Sequence, residues 1–153
     1  MSPSHRPAIT VLLLGGSRRV SLAQLLKRSG QRLGYDVRIV AYELDLEVPI
    51  AVEGTVVKGL SFSDPGVIAD LAREYDVKLI LPIVNGGMET ASICKREFPD
   101  VFVPISDVET AAVFSDKIEA AKAFRDAGIP TPKTYSIIDN DMPLIAKPRK
   151  GGS

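Results

Sequence analysis

The residues best suited to chemistry are two lysines, Lys117 in "FSDKIEAAKAF" and Lys147 in "PLIAKPRKGGS". Lys117 opens a helix-like stretch and Lys147 closes an apolar run that predicts a partly dry setting for its ammonium. Arg149 follows across a proline, and then come Gly151, Gly152 and Ser153. Cations followed by a glycine-rich turn offer ammonium, guanidinium and backbone N–H donors together, the set that cradles a polyphosphate. Taken singly, each lysine also reads as a surface cation; taken together they point to a nucleotide phosphate.

A second group of candidates lies in "LLLGGSRRV", where Gly16, Ser17 and Arg18 follow an apolar run. Glycines between a strand and a helix let the helix N-terminus approach an anion through its backbone donors. The same glycines serve equally as a plain strand-to-helix turn. Glu43, at the end of the next apolar run, is placed to hold a ribose, which keeps a nicotinamide dinucleotide site open. The dinucleotide fingerprint needs G-x-G-x-x-G, however, and the chain has G-G-S-R-R-V. In "PIVNGGMET", Asn85 and Glu89 stand on the same expected rim as Ser17 and Arg18. Glu89 is either part of a ligand pocket there or a first-turn charge favouring the helix dipole.

These residues need elements to position them, and the pattern supplies an α/β layer. "ITVLLL" at 9–14 is a continuous apolar run bounded by glycines, as expected of a strand buried on both faces of a parallel sheet. Ser17 is expected to cap the helix that follows, and Gly34 to end it. Strands are expected at 36–42, 55–59, 77–84 and 101–106, with a loop over 43–54. Ser63 or Asp64 caps a helix opened by Pro65, and another helix starts at Asn85. The alternation predicts a Rossmann-like, doubly wound parallel sheet with strand endings at 15, 43 and 85 along one rim. From residue 107 two consecutive helices follow, the second capped by Ser115 and stopped at Gly128. The prolines of "IPTPK" force an extended connection. "TYSII", a turn at "DND" and "PLIAK" then read as the opening hairpin of another unit. The expected organisation is a flexible N-terminus over 1–7, the sheet domain over 8–106, a helical connector over 107–131 and the start of a second lobe over 132–153.

"SDKIEAAKAFRDAGIPTPKTY" followed by "PLIAKPRKGGS" resembles the ATP-grasp superfamily, and within it the carbamoyl-phosphate synthase large-subunit-like proteins. The resemblance implies a Rossmann-like pre-ATP-grasp domain, a connector carrying D-K and G-I-P-x-P, and a strand ending in K-P-R before a phosphate loop. It implies that Lys117 approaches the nucleotide phosphates and that Lys147 contacts the α-phosphate and the adenine side. Arg149 fits the K-P-R position, and Gly151, Gly152 and Ser153 match the first residues of the loop over the β- and γ-phosphates. The implied parent uses ATP and Mg to phosphorylate a carboxylate and join it to an amine. The magnesium carboxylates of that family come from a second lobe and are not matched here. The chain is therefore expected to be a piece of a larger protein, inactive alone, or a subunit that pairs with a separate C-terminal ATP-grasp lobe.

Composition narrows the field. The 19 basic and 19 acidic residues balance, so no field favours nucleic acid. One cysteine, Cys94, excludes an internal disulfide, and the single histidine, His5, has no second histidine with which to share a metal. The first apolar run is too short to span a bilayer and lacks a cleavage region, so the expected location is the cytoplasm.

Overall fold

The structure, a computed structural model, describes residues 6–135 and 144–151. Four strands, β1 (Ala8–Leu14), β2 (Asp36–Glu43), β3 (Thr55–Lys58) and β4 (Val77–Pro82), form one parallel sheet in the order β3-β2-β1-β4. Helices α1 (Val20–Arg32) and α2 (Pro65–Glu74) lie between strands, and α3 (Asn85–Glu97) follows β4. Helices α4 (Val108–Ser115) and α5 (Lys117–Asp126) follow, α4 packing on α3 and α5 on α4.

The apolar run of β1 dictates this layering, because alternate side chains enter opposite faces of the sheet. Leu12 and Leu14, with Val40 and Tyr42, pack against Ile68, Leu71, Ala91 and Cys94 of α2 and α3. Val11 and Leu13, with Ile39 and Ala41, pack against Ala23 and Leu26 of α1 and against Ile50. Both faces are covered, as an all-parallel sheet requires. The sheet's rim then falls where the sequence places it, at the ends of β1, β2 and β4.

Several local expectations change. Ser17 does not cap α1: Arg19 occupies the N-cap without a side-chain hydrogen bond, and the helix begins at Val20. The reason is a turn over residues 15–19, in which the Arg19 N–H donates to Gly16 O at 2.7 Å and postpones the helix. The Ser17 carbonyl accepts instead from the Ile50 N–H at 3.0 Å and so anchors a 3-10 turn, Pro49–Val52, inside the expected loop. Asp64 rather than Ser63 caps α2, accepting from the N–H groups of Gly66 and Val67. Ser115 does not cap α5 either, because its hydroxyl donates back to Ala111 O while Asp116 takes the cap. The stop at Gly128 holds, with the glycine at φ +70° just past the helix.

No strand forms over 101–106. Phe102 makes a single parallel bridge to Leu79, exchanging bonds with Ile80 and Lys78, and Pro104 has no N–H to extend the ladder. β4 also ends at Pro82, two residues short of the expected 84. Residues 131–135 and 144–147 carry no strand assignment, and the "DND" turn of the expected hairpin lies outside the described residues, as does His5.

Gly15 fixes the turn at the rim. It sits at φ +76°, and a Cβ there would run into the side chain of Val84, the residue just before α3. Gly15→Ala is expected to cost about 1–2 kcal/mol from backbone strain before any clash. Chemical denaturation checks this, and an unchanged midpoint would contradict it.

Candidate functional site

The parallel register brings the ends of three strands together. The Gly15 N–H donates to Tyr42 O at 3.1 Å and the Ile83 N–H to Leu14 O at 2.9 Å, locking the turn after β1 between its neighbours. Glu43, the last residue of β2, is 4% exposed, and its Oε1 has no hydrogen-bond partner among the described residues. Burial pushes its carboxyl above the ordinary value, while the N–H groups of Gly16 and Ser17 pull the other way without cancelling the rise. The two amides that the sequence offers to an outside anion therefore face a carboxylate of the chain itself. Arg18 remains exposed, and no ion pair to it is formed among the described residues. Asn85 is the exposed first residue of α3, a helix without a side-chain cap.

The second group assembles around the junction of α4 and α5. Asp116 is 5% exposed and serves two masters. Its Oδ1 accepts from the N–H groups of Ile118 and Glu119, and its Oδ2 accepts from Arg149 Nε at 2.6 Å. Burial alone would raise its carboxyl, but the Glu119 N–H, the Arg149 guanidinium and the Ile118 N–H outweigh it and hold the group below its ordinary value. Lys117 donates its ammonium to Pro148 O at 2.7 Å and to Gly151 O at 2.8 Å, and its backbone N–H to Arg149 O at 3.0 Å. Arg149 also approaches Glu119 at 3.5 Å.

A third contact joins this group to the sheet rim. Lys150 Nζ lies 3.6 Å from Glu89 Oε1 in the first turns of α3. Glu89, expected at the rim, therefore belongs with the cationic segment, whereas no hydrogen bond or ion pair links that segment to Gly16, Ser17, Arg18 or Glu43 among the described residues. Lys147 is exposed and makes no ion pair there, contrary to the partly dry setting expected of it. Gly151 is at φ +83°, a glycine-compatible turn, and Gly152 and Ser153 lie outside the described residues.

Sequence reading missed Asp116 and Lys150 as members of this group. An aspartate directly before a helix signals an N-cap, but nothing local announces a second partner 33 residues away. The broad grooves of the molecule lie elsewhere. One of about 960 Å³ runs past Lys78, Met88 and Phe102, and one of about 420 Å³ past Lys27, Arg38 and Glu53. None of the sequence-derived site residues lines either. Among the described residues no group of three His, Cys, Asp or Glu side chains converges as a metal site, and no helix is long and apolar enough to cross a membrane.

No family model and no curated protein matches the chain. Solved structures do. An N5-carboxyaminoimidazole ribonucleotide synthetase in complex with ADP superposes with a TM-score of 0.58 at 17% identity, over 87% of this chain and 33% of that one. The enzyme of the same name from Thermotoga maritima gives 0.55 at 16% identity, over 82% and 32%. The biotin carboxylase domain of a single-chain bacterial carboxylase gives 0.51 at 21% identity, over 82% and 30%. The chain thus spans about a third of the length of these proteins. Its parallel sheet and helices share their fold with part of each of these proteins.

Proposed function

We propose that the chain is the N-terminal portion of an ATP-grasp carboxylate–amine ligase of the carbamoyl-phosphate synthase-like kind. It would contribute part of the ATP phosphate site, next to a rim that receives a small carboxylate or amine. The observation that carries this reading is the fixing of residues 148–151, directly after Lys147, by Asp116 and Lys117. Among the described residues Lys147 has no protein partner, so it fits a phosphate oxygen, with Gly151 following in a turn; Gly152 and Ser153, the other proposed phosphate-binding residues, lie outside the described residues. When bound, ATP with Mg would supply the phosphoryl group that activates the carboxylate. The described residues of this chain bind and orient, and they hold no set of carboxylates for the metal.

Pairing with a separately encoded C-terminal lobe is the second reading. Ile145 at 84% exposure and Phe114 at 52% leave apolar surface beside the cationic segment for such a lobe to cover. The nicotinamide reading loses ground, because Glu43 faces the Gly16 and Ser17 amides rather than open solvent. Burial of Cys94 pushes its thiol up to about 11 and disfavours the reactive thiolate, and the location we propose is the cytoplasm. Calorimetric titration with Mg·ATP and with NAD separates the readings. Binding of Mg·ATP tighter than about 100 µM, roughly 5.5 kcal/mol, is expected, with no phosphate release by this chain alone. A preference for NAD would sink the proposal.

A further inference from the structure

Asp116 and Lys117 do more than open α5. As its first residue, Lys117 has a backbone N–H with no acceptor inside the helix, and that N–H is satisfied by Arg149 O at 3.0 Å. Its ammonium holds two further carbonyls of the same segment, those of Pro148 and Gly151. The carboxylate of Asp116 divides its oxygens, Oδ1 to the helix and Oδ2 to Arg149. Asp116 and Lys150 also form an antiparallel bridge. Two adjacent residues thus fix residues 148–151 through side chain and main chain alike.

We propose that Asp116 is a positioning residue, which holds Arg149 and so sets the cationic segment in place before any nucleotide arrives. The word positioning rests on the nucleotide reading given above; the clamp itself does not. Arg149 is then committed to the protein, and Lys117 keeps one ammonium hydrogen beyond the two that grip carbonyls. Contact with phosphate oxygens falls mainly to Lys147. The clamp also lowers the ordering cost of ligand binding, since the segment is already fixed.

The test must separate clamping from helix capping, because Asp116→Ala removes both. Serine caps a helix nearly as well as aspartate, yet is one atom too short and uncharged to hold Arg149. Residue-resolved amide hydrogen exchange of the chain without nucleotide reads the two roles apart. The Lys117 amide reports the clamp, and the Ile118 and Glu119 amides report the cap. In Asp116→Ser the Lys117 amide is expected to exchange at least about tenfold faster, with Ile118 and Glu119 within about threefold of the parent. Arg149→Gln is expected to give the same acceleration at Lys117, and the double variant no more than either single one. An unchanged Lys117 amide, or equal acceleration at all three amides, would overturn the proposal by reducing Asp116 to a cap. Adding Mg·ATP to the parent chain then tests the nucleotide reading separately: absence of binding defeats that reading and leaves the exchange result standing.

Discussion

Lys147→Ala is expected to weaken Mg·ATP binding by about tenfold while leaving the thermal midpoint unchanged. Charge-assisted hydrogen bonds to a phosphate contribute about 1.5–3 kcal/mol, and exposure to solvent discounts this toward the lower end. Tenfold corresponds to about 1.4 kcal/mol. Stability is spared because Lys147 is exposed and joins no ion pair among the described residues. Arg149→Ala makes the contrast, since that side chain is bound to Asp116 at 2.6 Å and its loss leaves a 5% exposed carboxylate without its cation. Calorimetry of both variants, paired with thermal denaturation, checks the assignment. If Lys147→Ala binds Mg·ATP like the parent, the phosphate site is elsewhere.

The second large effect concerns Glu43 and is one of stability. Its buried Oε1 lacks a partner among the described residues, and burial raises its carboxyl above the ordinary value. Between the unfolded and folded values, the folded chain therefore holds more protons than the unfolded one. Stability falls as pH rises through that window, which opens near the ordinary carboxylate value and extends upward. Above the window the full cost of a buried charge applies; below it the group is neutral in both states and costs nothing electrostatic. Glu43→Gln is accordingly expected to be more stable than the parent at pH 8, on the order of 1–3 kcal/mol, with the gap closing as pH falls to 4. The difference between the two proteins isolates Glu43, because Asp116 is lowered, contributes in the opposite sense at acid pH, and is common to both. Urea denaturation at pH 4, 6 and 8 is the measurement. A parent more stable than the variant at pH 8 would mean that the carboxylate is well satisfied by the Gly16 and Ser17 amides.

The sequence by itself determined the layer. A run such as "ITVLLL" has no polar side to turn outward, so it must be covered on both faces, and helices between such runs can return only by parallel crossovers. That reasoning placed β1 to β4, α1 to α3 and the rim, because it depends on local composition and on period alone. It failed where one residue's partner decides the outcome. Ser17 and Ser115 have the right chemistry for caps, but a turn delays α1 and Asp116 takes the second cap. The segment 101–106 has strand-like residues, yet Pro104 and the end of β4 leave it a single bridge.

Only the tertiary structure decided how the candidate residues group. The expected rim of strand endings put Glu89 with the glycine turn after β1; folding put it 3.6 Å from Lys150. Glu43 looked like an acidic group facing a ligand, and the register of β2 against β1 turned it toward the chain's own amides. Residue types announce what a side chain can donate or accept. Which partner receives it depends on contacts between segments far apart in the chain, such as Lys117 with Pro148 and Gly151, and no local pattern encodes those.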